Sequence, residues 1–224
     1  MSMVLFSDRR DAGRRLAKQL SHYANDKDVL VLALPRGGVP VAYEVARSLR
    51  APLDVFLVRK LGVPGHEELA MGAIASGGVR VLNDDVVRTL NITQEQIDRV
   101  AALEQREMER REREYRNDRP PPEIRGRKII LVDDGLATGA SMRAAIAALR
   151  TQGPAEIVAA VPTAPPETCR SFETEVDRII CAETPQPFRA VGLWYEDFSQ
   201  TTDDEVREYL ERASDPSQAD IGEV

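Results

Sequence analysis

The sequence predicts an α/β protein built on an open, mainly parallel twisted sheet with helices on both faces. Three observations predict it. Short apolar runs such as Val29–Leu34 and Ile129–Val132 read as strands buried on both sides. Each is followed by a glycine-bearing turn and then by apolar residues at helical spacing, an alternation that yields parallel sheets. The turns fall at the carboxyl ends of the strands, where such sheets bind ligands.

The elements follow in order. Ser7 is expected to cap a first helix whose stripe is Ala12, Leu16, Leu20 and Tyr23, ending before Asn25. Val29–Leu34 is the first strand. Pro35-Arg36-Gly37-Gly38 breaks it, and Val39–Leu49 is helical through Val41, Val45 and Leu49. Asp54–Val58 reads as a second strand, and Leu61–Glu68, with Gly62, Pro64 and Gly65, as the first clear loop. Met71–Ala75 and Val79–Leu82 form a pair of short strands joined by Gly77-Gly78. Thr93 with Gln96 makes a capping-box signature for a helix from Gln94 to about Arg116. Residues 104–119 hold six acids and six arginines, a pattern that predicts a solvated face of local ion pairs. A partner helix or scaffold contact is the alternative, although a sustained heptad is absent. Pro120-Pro121-Pro122 ends this insertion.

Lys128–Val132 is a buried strand, residues 133–141 a polar loop, and a helix then runs through Met142, Ile146 and Leu149 to a stop at Gly153. Glu156–Val161 and Asp177–Cys181 are further strands around a short Pro166–Phe172 helix. Phe188–Tyr195 is an apolar, aromatic segment, and Thr202 with Glu205 opens the last helix. Residues 1–213 therefore read as a single domain with a helical insertion over 94–116, and 214–224 as a flexible tail.

Composition narrows the function classes. The 224 residues are 42% hydrophobic and include 14 glycines, which matches a globular apolar share of roughly 45–50%. Thirty basic against 37 acidic residues leave a net charge of −7, which argues against a nucleic-acid or anionic-membrane binder. The two cysteines, Cys169 and Cys181, lack metal-ligand spacing, so neither a disulfide framework nor a zinc site is expected. Two sparse thiols fit a reducing cytosol. Met3 to Phe6 is too short for a signal peptide, and no run approaches the roughly 20 residues of a membrane span. The expectation is a cytoplasmic protein.

Residues 129–141 carry the chemistry. They read Ile-Ile-Leu-Val-Asp-Asp-Gly-Leu-Ala-Thr-Gly-Ala-Ser. Four apolar residues deliver Asp133 and Asp134 to the sheet edge. Gly135, Ala137, Thr138, Gly139, Ala140 and Ser141 then lead into a helix whose first N–H groups are free for an anion. Carboxylates beside a phosphate repel it unless they engage something else, such as sugar hydroxyls or magnesium. The combination describes a phosphorylated sugar: phosphate on the turn, diol on the acids.

This segment closely resembles the phosphoribosyl-pyrophosphate signature of the type I phosphoribosyltransferases. The resemblance implies that fold with a small hood, here from about 185–200 and the chain ends. It also implies that Asp133 and Asp134 hold the ribose hydroxyls and the Ala137–Ser141 turn the 5′-phosphate. Magnesium would bind with the donor, at Asp133 and Asp134 directly or through water or the donor itself. In the family an early turn ending in two glycines binds pyrophosphate, a role that falls to Arg36, Gly37 and Gly38; a non-proline cis peptide would fall at Pro35–Arg36. Arg59 and Lys60, followed by His66, resemble the basic loop of the orotate enzymes, although the further lysine of that loop is missing. His66 would be a general acid or a pyrophosphate contact, with an idle solvent-exposed histidine as the alternative. Trp194, Tyr195 and Glu196 are candidate acceptor residues, with aromatic core packing the alternative for the two rings. The segment 162–168 lacks the lysine with which 6-oxopurine enzymes read their base.

Taken together, residues 29–200 resemble a branch of bacterial phosphoribosyltransferases, which implies transfer of phosphoribose to a nitrogenous acceptor with loss of pyrophosphate. A nucleotide-sensing regulator on the same fold is the alternative. The expected partners are small molecules and a second copy in a homodimer, with neither nucleic acid nor membrane.

Overall fold

A computed structural model describes residues 4–117 and 119–214; the tail expected over 214–224 lies outside them except for Ser214, which ends the last helix. The first half runs α1 (Arg9–Gln19), β1 (Val29–Ala33), α2 (Gly38–Leu49), β2 (Leu53–Val55), β3 (Val58–Val63), β4 (His66–Ala75), β5 (Val79–Leu82) and α3 (Asp84–Thr89). The second runs α4 (Gln94–Arg116), β6 (Lys128–Val132), α5 (Ala140–Thr151), β7 (Glu156–Thr163), α6 (Pro166–Ser171), β8 (Arg178–Glu183) and α7 (Asp203–Ser214). Five strands pair in parallel in the order β2-β1-β6-β7-β8, the sheet the apolar runs predict.

Alternation along these strands fills two cores. Val29, Val31 and Ala33 of β1 join Ile130 and Val132 of β6 against Leu16 of α1 and Val41 and Val45 of α2. Leu30 and Leu32, with Ile129 and Leu131, turn the other way onto Met142, Ile146 and Leu149 of α5. A strand facing helices on both sides has no polar face to show, and this is why its sequence is unbroken by charge.

Several boundaries differ from the sequence reading. Asp8, not Ser7, caps α1, its carboxylate accepting from Asp11 N at 2.7 Å. The strand expected over Asp54–Val58 is divided: β2 ends at Val55, and Val58 begins a separate antiparallel sheet ordered β3-β4-β5. The bridging residues Phe56 and Leu57 are both buried, Phe56 in the core under α5 and Leu57 in the opposite one. Passing from one sheet to another without leaving the interior keeps the run apolar and hides the break. The loop expected over Leu61–Glu68 is instead the end of a hairpin, with Leu61 paired to Gly72 and Val63 to His66 around Pro64-Gly65. Its shifted register and small residues mimic a loop.

The insertion helix α4 has the expected limits and its Thr93–Gln96 capping box. Its charged half is less solvated than expected. Met108, Tyr115 and Arg116 are buried; Arg116 pairs with Asp54 at 3.0 Å and donates to Val55 O, while Tyr115 donates to Asp203 of α7. The expectation of two separate thiols is also corrected. Cys169 of α6 and Cys181 of β8 are joined in a disulfide with Cα atoms 6.5 Å apart. The α6 crossover carries one cysteine back over the edge strand, a proximity that a separation of 12 residues does not advertise.

Near the N-terminus a third cluster assembles from distant segments. Phe6 and Ala12 pack with Trp194 and Tyr195. Leu5 and Phe6 N donate to Trp194 O, and Glu196 N to Phe6 O.

Candidate active site

The acid pair stands at the carboxyl end of β6, flanked in the sheet by β1 and β7. Both carboxylates are half-buried. Asp133 accepts from the backbone N–H of Asp134 at 2.9 Å. Asp134 accepts from Arg9 Nε at 2.8 Å, and its carbonyl accepts from the Tyr195 hydroxyl at 2.6 Å. Burial, and then the neighbouring Asp134 carboxylate, push Asp133 well above the ordinary carboxylate range. Burial also raises Asp134, with Arg9 pulling it back down. Two adjacent, partly desolvated carboxylates with a single cation, Arg9 on Asp134, form a site short of positive charge or of hydrogen-bond donors.

The turn that follows is braced from outside. Thr168 Oγ donates to Ala137 O at 3.0 Å, and Arg143 Nη1 to Thr138 O at 2.6 Å. Gly139 caps α5 with φ of 76°, a left-handed conformation that glycine adopts at little cost. A Cβ there would also lie 2.6 Å from the ring of Phe172. With the carbonyls occupied, the donors are left over. Among the described residues, the amides of Ala137 through Met142 find no backbone acceptor. Thr138, Ala140 and Ser141 are exposed, so these groups are not sealed beneath another segment. Free N–H groups at the start of a twelve-residue helix make an anion site.

The Pro35–Gly38 turn lies directly against the acids. Leu34 N donates to Val132 O at 2.9 Å, and the Pro35–Arg36 peptide is cis. Close approach explains both glycines. A Cβ on Gly37 would collide with the Asp134 carboxylate, and one on Gly38 would lie 2.8 Å from Val132 O. Arg36 reaches out toward Asp203 at 3.8 Å. It shares a small cavity of about 70 Å³ with Arg59, Arg111 and Tyr115. Arg36 and Arg59 therefore converge, and Arg111 joins them from α4.

The remaining candidates are placed less centrally. Arg59 is paired with Glu104, and Lys60 donates to Glu68 O at 3.2 Å. Lys60 and Ser141 line a larger cavity of about 480 Å³ between the antiparallel sheet and α5. His66 opens β4 at the exposed tip of the hairpin. Among the described residues its side chain makes neither hydrogen bond nor ion pair. Trp194 and Tyr195 are 8% and 4% exposed, packed as core, so a base could stack on either only after the cluster opened. Glu196 is exposed.

Three site residues escaped the sequence reading. Arg9 is 11% exposed, stacks 3.9 Å over the Phe198 ring and donates to Ser199 O as well as to Asp134. Arg111 lies on the charged half of α4, which was expected to be a solvated face, and Arg143 on the polar side of α5. Nothing local distinguishes these arginines from their neighbours. The helical register placing Arg143 one turn beyond Gly139 is the only available signal.

Comparison with known proteins fits this geometry. The model of the phosphoribosyl transferase domain matches residues 7–193. Proteins from two Mycobacterium tuberculosis strains, CDC 1551 and H37Rv, provisionally described as phosphoribosyl transferases, are 50% identical over 211 residues. The match covers 94% of this chain and 47% of each relative, so the chain spans about half the length of the curated relatives it matches. A crystal structure of the protein TT1426 from Thermus thermophilus is 43% identical with a TM-score of 0.81, covering 92% of this chain and 97% of that one.

Proposed function

The chain belongs to the phosphoribosyl transferase domain family, and on that premise we propose that it moves phosphoribose from phosphoribosyl pyrophosphate to a nitrogenous acceptor, releasing pyrophosphate. The observation that carries the reading is the set of unpaired amides over Ala137–Met142 directly beside the half-buried Asp133–Asp134 pair. The turn would hold the 5′-phosphate, and the acids the ribose hydroxyls, which supply the hydrogen-bond donors this corner lacks.

The pyrophosphate would lie on the Arg36–Gly38 turn, facing Arg59 and Lys60. As the bond to the anomeric carbon breaks, positive charge grows on the sugar and negative charge on the departing group. Fixed cations aimed at the leaving group stabilise that separation, and the two gripped ends of the donor hold the reacting carbon in line. The acids also suit magnesium. The described residues contain no cluster of three or more acidic, His or Cys ligands, so the ion would be held by Asp133 and Asp134 with water and donor oxygens completing its shell. Bound there, it would neutralise pyrophosphate charge. No helix of the described residues is long and apolar enough to cross a membrane, and the substrates proposed are small and polar.

The test is direct. The double variant Asp133→Asn, Asp134→Asn should lower donor affinity by more than the ~1 kcal/mol of an ordinary surface change, read by calorimetry with phosphoribosyl pyrophosphate. Unaltered affinity would overturn the assignment. Pyrophosphate release across a panel of bases separates transfer from sensing: donor binding without release on any base would identify a regulator.

A further inference from the structure

The disulfide is the feature this function does not use. Its position suggests a use. Helix α6 has six residues, none of them fully buried, and a helix of that length does not hold itself together. Yet three consecutive parts of this segment set the anion turn. Thr168 donates to Ala137 O. Ser171 Oγ accepts from Arg143 Nη2 at 2.7 Å, orienting the guanidinium whose Nη1 donates to Thr138 O. Phe172 packs against Gly139, close enough to forbid a side chain there. What fastens α6 in turn is the Cys169–Cys181 bond to β8, together with the buried Phe172 ring. Both cysteines are only part-buried.

We propose that the Cys169–Cys181 disulfide is a redox latch on the anion-binding turn, holding it set when oxidised and loosening it when a dithiol reduces the bond. One thiolate of the dithiol attacks a cysteine sulfur, giving a mixed disulfide and releasing the other cysteine. The second thiolate then closes a ring and releases the first. The protein gains two electrons and two protons, and the dithiol becomes a cyclic disulfide. Thr168 and Ser171 lose their fixed mount; the carbonyl of Ala137 loses its partner, and Arg143, still paired with Glu175 at 2.8 Å, loses one of the two groups that orient it toward Thr138 O. The regulatory consequence rests on reading this turn as the donor phosphate site.

The experiment compares the full chain oxidised with glutathione disulfide and reduced with dithiothreitol, the redox state of each verified by thiol alkylation and mass. Hydrogen exchange is followed at Leu136, Arg143 and Cys169, whose amides are hydrogen bonded in the latched state. Reduction should speed exchange at all three and weaken phosphoribosyl pyrophosphate binding about five- to tenfold, a usual strength for coupling between two sites. Cys169→Ser with Cys181→Ser should behave as the reduced protein and ignore dithiothreitol. Thr168→Val, with its disulfide intact, should reproduce part of the loosening. Unchanged exchange on verified reduction, or failure of glutathione disulfide to form the bond, overturns the latch. Faster exchange with donor binding in neither state upholds the latch and removes the donor reading instead.

Discussion

The acid turn after β6 and the hairpin of β3 and β4 supply opposite charges to the candidate site, and they are held in different ways. The turn grows from the middle of the parallel sheet and is cross-braced by Arg9, Tyr195, Thr168 and Arg143. Its carboxylates are fixed and largely withdrawn from water. The hairpin belongs to a smaller sheet. Arg59 and Lys60 are 30% and 48% exposed, paired with acids that solvent also reaches. One region is pre-set and strained by its own charge; the other is adjustable. The proposed grip on a sugar phosphate and release of pyrophosphate is well served by that division, since positioning needs rigidity while release needs give.

If this contrast is right, substitutions should sort by region, here in order of their effect on stability. The largest belongs to the joint between the two sheets. Arg116→Ala strips the partner from Asp54 where α4 meets β2, their side chains being 6% and 15% exposed. Breaking a buried pair on one side costs about 3–5 kcal/mol, and denaturant unfolding should register it. A loss below about 1 kcal/mol would mean that the smaller sheet is docked by something else. Next is Gly38→Ala, whose new methyl meets the backbone at Val132 O and Asp133 Cα. Such overpacking costs about 1–3 kcal/mol, and donor affinity should fall with it because the two turns are forced apart.

Asp133→Asn should move the other way. Burial and Asp134 raise the folded-state value of Asp133 above the 3.8 of an ordinary aspartate. The folded state therefore holds its proton more tightly than the unfolded chain. The resulting stability is complete below that ordinary value and is lost as pH climbs through the raised one. As pH rises above that ordinary value the site works increasingly against the fold, so the Asn variant, which carries no titrating proton, should be more stable at neutral pH by ~1 kcal/mol, the scale of gain common at strained functional sites. The gain should shrink on acidification. Equal melting of the two proteins across this range would remove the claim that the acid pair is under strain. The smallest effect on stability is expected at Arg59→Ala, whose exposed pair with Glu104 contributes ~0–1 kcal/mol. Pyrophosphate release should nonetheless fall at least about a hundredfold, the scale of a lost transition-state contact. A large stability loss with normal turnover would reverse the roles given to the two regions.

The two regions also differ in how much of them the sequence discloses. Asp133, Asp134 and Thr138–Ser141 are consecutive, and their order of strand, acids, small turn and helix is itself the description of an anion site. The Gly37-Gly38 turn is legible for the same reason. Arg59 and Lys60 stand out as charges, but their element did not: the chain changes sheets through buried Phe56 and Leu57, and apolar continuity looks like one strand. His66 drew attention as a loop histidine, whereas the hairpin carries it to an exposed tip. Trp194 and Tyr195 were visible as aromatics; that the Tyr195 ring faces Phe6 while its hydroxyl reaches Asp134 O depends on where the N-terminus returns.

The order of residues alone determined the parallel sheet, its two-sided core, the capped insertion helix and the acid-bearing turn after β6, because each is written in a local period or an unbroken motif. The folded chain decided the rest: the partner of Asp134 lies 125 residues away at Arg9, the cysteines meet across a crossover, and Arg111 joins Arg36 from a helix that looked solvated. Such contacts arise where elements cross in space, and a charge one turn away on a helix looks the same whether it meets solvent or another strand.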